Sequence, residues 1–134
     1  MIIKYYDTNK INLDKNKFIL FYGKNEGYKV EIIKNLTKNR QKISTYDEKE
    51  ILDNSTEFIE SLISKSLFEN QKIIIIKRAT EKIFKLFEDI ILKNINDLNI
   101  IINADNLEKK SKLRTYFEKD KKFVCVAFYP DNEQ

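Results

Sequence analysis

Two glycines and two lysines lie close together in residues 23–31, GKNEGYKVE, directly after the apolar run FILFY. Glycines at such a turn let the backbone approach a phosphate, and the N-terminus of the following helix supplies N–H donors. A P-loop has the form G-x-x-x-x-G-K-[ST], in which the lysine contacts phosphates and the hydroxyl holds Mg²⁺. After Gly23, Gly27 comes one position too early, Lys29 is displaced from the second glycine, and Val30 replaces the hydroxyl residue. Because Val30 cannot ligate a metal, the stretch predicts a degenerate nucleotide site.

A second part of a nucleotide site is also missing. P-loop ATPases carry metal- and water-binding carboxylates after a central strand, whereas here four isoleucines are followed by Lys77 and Arg78, which repel Mg²⁺. Asp105 is a lone carboxylate, and we interpret it as a loop or capping residue. Lys29 can still contact a phosphate. The interpretation that fits these residues better is that Lys29 is a solvent-exposed lysine at the start of a helix, behind a turn glycine.

The residue types present exclude several classes of chemistry. The chain has no histidine, which removes the commonest general base, the Ser/His and Cys/His nucleophile pairs and most zinc sites. We therefore expect no catalytic residue, no metal and no cofactor. The one cysteine, Cys125, lies in the apolar run FVCVAF and is expected to fill the core. With one thiol, no signal peptide and no apolar run near the roughly 20 residues of a membrane span, we expect a soluble, cytoplasmic protein.

A basic segment suggests an alternative function. Lys109, Lys110, Lys112 and Arg114 surround Ser111 in a predicted helix. Such a face can contact nucleic-acid phosphates, although it is usually only solvated. The formal charge of +4 is weak evidence for nucleic acid, because basic residues are scattered along the whole chain.

The apolar pattern predicts the elements that position these residues. Short apolar runs predict buried strands, and apolar residues three and four apart predict amphipathic helices. We expect strands at 18–22, 42–46, 73–76, 98–102 and 123–128, and helices from about 27, after Asn54 or Ser55, at 81–94 and at 107–119. This alternation predicts an α/β fold in one domain of 134 residues: a three-layer, P-loop-like domain whose five-stranded parallel sheet has helices on both faces.

One apolar pair has no place in that pattern. Leu67 and Phe68 follow Ser66 in ISKSLFENQKIIIIK, on the connection between a predicted helix and the isoleucine strand. Fully burying a Leu and a Phe is worth about 1.5–3 kcal/mol each. Either the pair folds back, with Leu67 packed under the sheet, or a partner buries it.

Four segments, FILFYGKNEGYKVEIIKNL, SLFENQKIIIIKRA, INADNLEKKSKLRTYFEK and FVCVAFYP, extend in this order from residue 18 to residue 130. Together they resemble the N-terminal domain of the delta subunit of bacterial DNA polymerase III, a clamp-loader subunit. The resemblance rests on a strand followed by a decayed P-loop, on SLF before a polar turn and an apolar strand, and on D-x-L-x-K-x-S-K-L before the last helix.

The resemblance implies a non-catalytic role in DNA replication. Delta subunits are similar in fold to AAA+ ATPases but do not hydrolyse ATP, and the degenerate P-loop would correspond to Gly23, Gly27 and Lys29. Their N-terminal domain binds the ring-shaped sliding clamp (beta) through a Leu-Phe pair that enters an apolar pocket and helps to open the ring. Ser66, Leu67 and Phe68 match that element. Some members have Gln and an apolar residue upstream, at positions where this chain has Ile63 and Lys65.

Full delta subunits continue into a small helical domain and a collar that assembles with the delta-prime and tau/gamma subunits. The resemblance therefore predicts that residues 1–134 are an isolated N-terminal AAA+-like domain that binds the clamp, meets primed DNA only indirectly and does not assemble the loader. Two alternatives stay open: a divergent P-loop nucleotide hydrolase that uses Lys29 and Asp105, and a nucleic-acid-binding domain that uses residues 109–114.

Overall fold

Five apolar segments pair side by side in a computed structural model of the chain, which describes residues 1–67 and 72–129. The strands are β1 (Phe18–Gly23), β2 (Ile43–Asp47), β3 (Lys72–Ala79), β4 (Leu98–Ala104) and β5 (Phe123–Phe128). Every neighbouring pair is parallel, and the order across the sheet is β2-β3-β4-β1-β5. The predicted five-stranded parallel sheet is thereby confirmed.

The helices follow the apolar pattern with two differences. They are α1 (Glu26–Thr37), α2 (Glu48–Asp53), α3 (Ser55–Ser66), α4 (Phe84–Lys93) and α5 (Lys112–Lys119), with 3₁₀ turns at Tyr5–Lys10 and Glu81–Ile83. Helix α5 begins later than the predicted residue 107, because the Ser111 hydroxyl caps it by accepting the Arg114 N–H at 3.1 Å. Helix α2 was not predicted, since its six residues are too few to show a period. In the part of the chain that the structure describes, no helix is long and apolar enough to cross a lipid bilayer.

Alternating strand side chains divide the core into two layers. In β1, Ile19 and Phe21 join the cluster that contains Ile33 of α1, whereas Leu20 and Tyr22 join the cluster built on the other helices. That second cluster includes buried residues from α2, α3, α4 and α5. Helices therefore cover both faces of the sheet, as predicted, and the fold is a three-layer α/β arrangement.

The parallel sheet has two chemically different edges. All strands begin at one edge, the amino edge, and end at the other, the carboxyl edge. At the carboxyl edge β1 leads to α1 on one face, while its neighbour β4 leads to α5 on the opposite face. The ends of β1 and β4 thus form a topological switch point, the position where open α/β sheets bind ligands.

Candidate functional site

The turn at the switch point is too short to surround a phosphate. Only Lys24 and Asn25 separate β1 from α1, which begins at Glu26. Gly23 has φ +121°, and a Cβ on it would lie 2.0 Å from the carbonyl oxygen of Phe128. The glycine is therefore required by the close approach of β5, since no other residue fits this backbone angle and this gap.

The N-terminus of α1 is already occupied by the chain's own groups. The Asn25 Oδ1 accepts the Tyr28 N–H at 3.2 Å, and Glu26 places a carboxylate in the first turn. Gly27 lies in this turn, and a Cβ there would meet no atom within 4 Å. The helix end thus has its cap and its anion, which are the interactions that a phosphate would otherwise supply.

The expectation that Lys29 is solvent-exposed is wrong. Its side chain is only 1 % exposed, and its ammonium donates to the Ala104 carbonyl at 2.7 Å and pairs with the Glu26 carboxylate at 3.1 Å. Glu26 also accepts a hydrogen bond from the Asn103 amide at 3.1 Å. These contacts compensate the cost of burying the charge. Lys29 lies six residues after Gly23, which is the spacing of a P-loop lysine from its first glycine.

Strand β3 has two cations near its end, where a P-loop ATPase would have carboxylates. Strand β3 continues through Lys77 and Arg78, and the Arg78 guanidinium pairs with Asp47 at 2.6 Å, which raises the pKa of Arg78. Asp105 is exposed after β4, and its backbone carbonyl, not its carboxylate, accepts the Gly23 N–H at 3.2 Å. Within residues 1–67 and 72–129, no group of three or more His, Cys, Asp or Glu side chains could hold a metal ion. The Arg78–Asp47 ion pair and the Gly23–Asp105 backbone hydrogen bond therefore link the ends of neighbouring strands.

Cys125 lies in the core, as the sequence predicted. Its side chain is buried in β5, and this burial raises the pKa of the thiol to about 12. A thiol that remains protonated at neutral pH is a poor nucleophile.

The predicted basic helix face is only partly present. Residues 107–111 are not helical, and Ser111 is buried, where its hydroxyl donates to Glu81 and caps α5. Arg114 is turned inward: its guanidinium lies 4.9 Å from the centre of the Tyr22 ring and donates to Glu118 at 2.9 Å. The prediction is wrong for these two residues, and the exposed cations that remain are Lys109, Lys110 and Lys112.

Leu67 is exposed at the end of α3. The Ser66 hydroxyl donates to the Ile63 carbonyl at 2.7 Å, and the Leu67 N–H donates to the Ser64 carbonyl at 3.3 Å, so the helix turn is closed. The Leu67 side chain is 74 % exposed, which excludes the alternative in which it packs under the sheet. Phe68, the other residue of the predicted pair, lies outside the described residues.

A second exposed leucine was missed. Leu92 is 82 % exposed in the last turn of α4, and the apolar pattern of the sequence did not single it out. The sequence could have indicated this, because Leu92 does not continue the three-and-four spacing of Phe87 and Ile90, which are both buried.

No protein-family model matches the chain, and no curated protein sequence matches it significantly.

Proposed function

We propose that the chain acts in the cytoplasm as the N-terminal AAA+-like domain of a clamp-loader delta subunit. In this proposal Ser66, Leu67 and Phe68 bind the sliding clamp and help to open the ring for loading onto DNA. In the whole loader, delta-prime and tau/gamma would be the further partners. The domain itself catalyses nothing and needs no cofactor.

The observation that carries the proposal is the exposure of Leu67. A leucine that is 74 % exposed, on the connection that leads into β3, stands where the resemblance to delta subunits requires the apolar anchor. Burying such a side chain contributes about 1.5–3 kcal/mol, and a few anchors of this kind dominate the energy of protein interfaces.

Two features of the fold support the same proposal. The five-stranded parallel sheet with helices on both faces agrees with the AAA+-like fold that the resemblance implies. Lys29, at the spacing of the phosphate-binding lysine, is buried against Glu26 and Ala104. A lysine engaged in this way is what a subunit that has lost ATP hydrolysis would retain, and the hydrolase alternative has no comparable support.

The test is a calorimetric titration of this domain with the sliding clamp of its own organism. We expect saturable binding that Leu67→Ala/Phe68→Ala abolishes and that ATP with Mg²⁺ leaves unchanged. Tyr129→Ala is the matched control, because Tyr129 is 58 % exposed and follows β5 at the opposite edge of the sheet. If the wild-type domain does not bind the clamp, the proposal is wrong. Heat of binding on addition of ATP alone would favour the nucleotide-hydrolase alternative.

A further inference from the structure

The amino edge of the sheet is strongly basic. We define it by the described residues of the segments that lead into the five strands and of the last α-helical turn before them, residues 11–17, 34–42, 63–67, 90–97 and 116–122; residues 68–71, which include Glu69, lie outside the described residues. Its cations are Lys15, Lys17, Lys34, Lys38, Arg40, Lys42, Lys65, Lys93, Lys119, Lys121 and Lys122, and its carboxylates are Asp14, Asp97, Glu118 and Asp120. Eleven cations and four carboxylates give these residues a net charge of +7, which exceeds the formal charge of +4 for the whole chain.

The cations at the two edges differ in their partners. At the carboxyl edge, ion pairs join Lys29 to Glu26 and Arg78 to Asp47. At the amino edge, the described residues form the ion pair from Arg40 to Asp14 at 3.2 Å, and Glu118 pairs with Arg114 of its own helix at 2.9 Å. The positive charge at the amino edge is therefore directed mainly to solvent, where it attracts an acidic partner over about a Debye length.

Two exposed leucines lie at this same edge. Helices α3 and α4 cover the same face of the sheet, where α3 belongs to the connection from β2 to β3 and α4 to the connection from β3 to β4, and these three strands are adjacent. Both helices run back toward the amino edge, and Leu67 and Leu92 stand at their ends, beside Lys65 and Lys93. The exposed Ile63 lies one helical turn before Leu67.

We propose that the amino edge is one docking surface for an acidic protein, with Leu92 as a second apolar anchor beside Leu67 and with Lys65 and Lys93 in a basic rim. This inference rests on the proposed function, because it takes the sliding clamp as that protein. A nucleic acid would use only the cations and leave both leucines in water. A protein that presents an apolar pocket within an acidic surface satisfies the leucines and the lysines together.

The role of Leu92 is tested by measuring the affinity of Leu92→Gln for the sliding clamp. The side chain is exposed, so this substitution should leave the melting temperature unchanged. Truncating an interface anchor commonly costs enough to weaken binding about tenfold. We expect that loss for Leu92→Gln and none for the control Tyr129→Ala. If wild type and Leu92→Gln bind equally while Leu67→Ala/Phe68→Ala does not bind, the proposed function stands and this inference is overturned.

The basic rim is tested with two double variants of equal charge. Lys65→Gln/Lys93→Gln neutralises two cations at the amino edge, and Lys109→Gln/Lys112→Gln neutralises two exposed cations at the carboxyl edge. Charges at an interface rim act mainly on the association rate and lose effect in salt. At about 50 mM NaCl we expect Lys65→Gln/Lys93→Gln to slow association with the clamp about fivefold, and the effect should be smaller at high salt. Lys109→Gln/Lys112→Gln should associate with the clamp at the wild-type rate.

Two outcomes overturn the rim. Equal association rates for both pairs would show that its charge does not steer the partner. The second outcome concerns a 30-base-pair DNA duplex. If only Lys65→Gln/Lys93→Gln weakens binding to the duplex, and this variant associates with the clamp at the wild-type rate, the amino edge binds nucleic acid instead. No clamp binding by the wild-type domain would instead overturn the proposed function and this inference together.

Discussion

The ion pair between the buried Lys29 and the exposed Glu26 should contribute measurably to stability. The two charges are 3.1 Å apart, with Lys29 1 % exposed and Glu26 62 % exposed. Coulomb's law gives about 5 kcal/mol at an effective dielectric constant of about 20 and about 1 kcal/mol in bulk water. Because water reaches one partner and screens the pair, we expect a value nearer the lower figure, about 2 kcal/mol.

The matched perturbation is Glu26→Gln, which removes the charge but keeps an oxygen that can accept the Asn103 hydrogen bond. It leaves the Lys29 ammonium buried with only the Ala104 carbonyl. A loss of about 2 kcal/mol should lower the melting temperature of a chain of this size by about 7 °C. The measurement is thermal unfolding followed by far-ultraviolet circular dichroism.

A double-mutant cycle with Lys29→Met separates the pair from other effects. Methionine fills much of the same space without a charge, so Glu26→Gln should cost almost nothing once Lys29 is gone. The coupling free energy should then be about 2 kcal/mol. A coupling below about 0.5 kcal/mol, the usual error of additivity, would refute the claim that Glu26 stabilises the buried lysine.

Two further predictions concern the turn and the alkaline limit of stability. Gly23→Ala should destabilise the domain by more than about 3 kcal/mol, because its Cβ would meet the Phe128 carbonyl. Gly27→Ala lies in open space and should stabilise α1 by about 0.5–1 kcal/mol. Urea unfolding of both variants measures these changes, and equal unfolding midpoints would contradict them. Burial raises the pKa of Cys125 and of Tyr22 to about 12, from 9.0 and 10.0. Since the unfolded chain releases these protons first, stability should fall as the pH rises from about 9 to about 12. Urea midpoints across this range should fall less steeply for Cys125→Ala, and an unchanged slope would contradict the role of Cys125.

The sheet could be predicted because its information is local. Runs such as residues 73–76, four isoleucines, are β-branched and apolar on both faces, which defines a buried parallel strand without reference to the rest of the chain. The same local reasoning predicted helices α3 and α4. It missed α2, whose six residues are too few to show a helical period.

The site was harder to predict because its contacts are distant in sequence. Nothing near Lys29 indicates that the carbonyl of Ala104, 75 residues later, will accept its ammonium. Arg114 was likewise predicted to be a surface cation, although its guanidinium stacks on the ring of Tyr22, which is distant in sequence. Long side chains of this kind can be buried by their apolar stems, so their polarity alone does not predict exposure.

The most direct test of clamp binding is hydrogen–deuterium exchange of the domain, measured by mass spectrometry with and without the sliding clamp. We predict that the clamp slows exchange in peptides that span residues 59–71 and leaves the exchange rates of peptides from residues 123–129 unchanged. The protection should vanish in Leu67→Ala/Phe68→Ala. Protection that is absent from residues 59–71, or confined to the carboxyl edge, would contradict a clamp-binding role for Leu67.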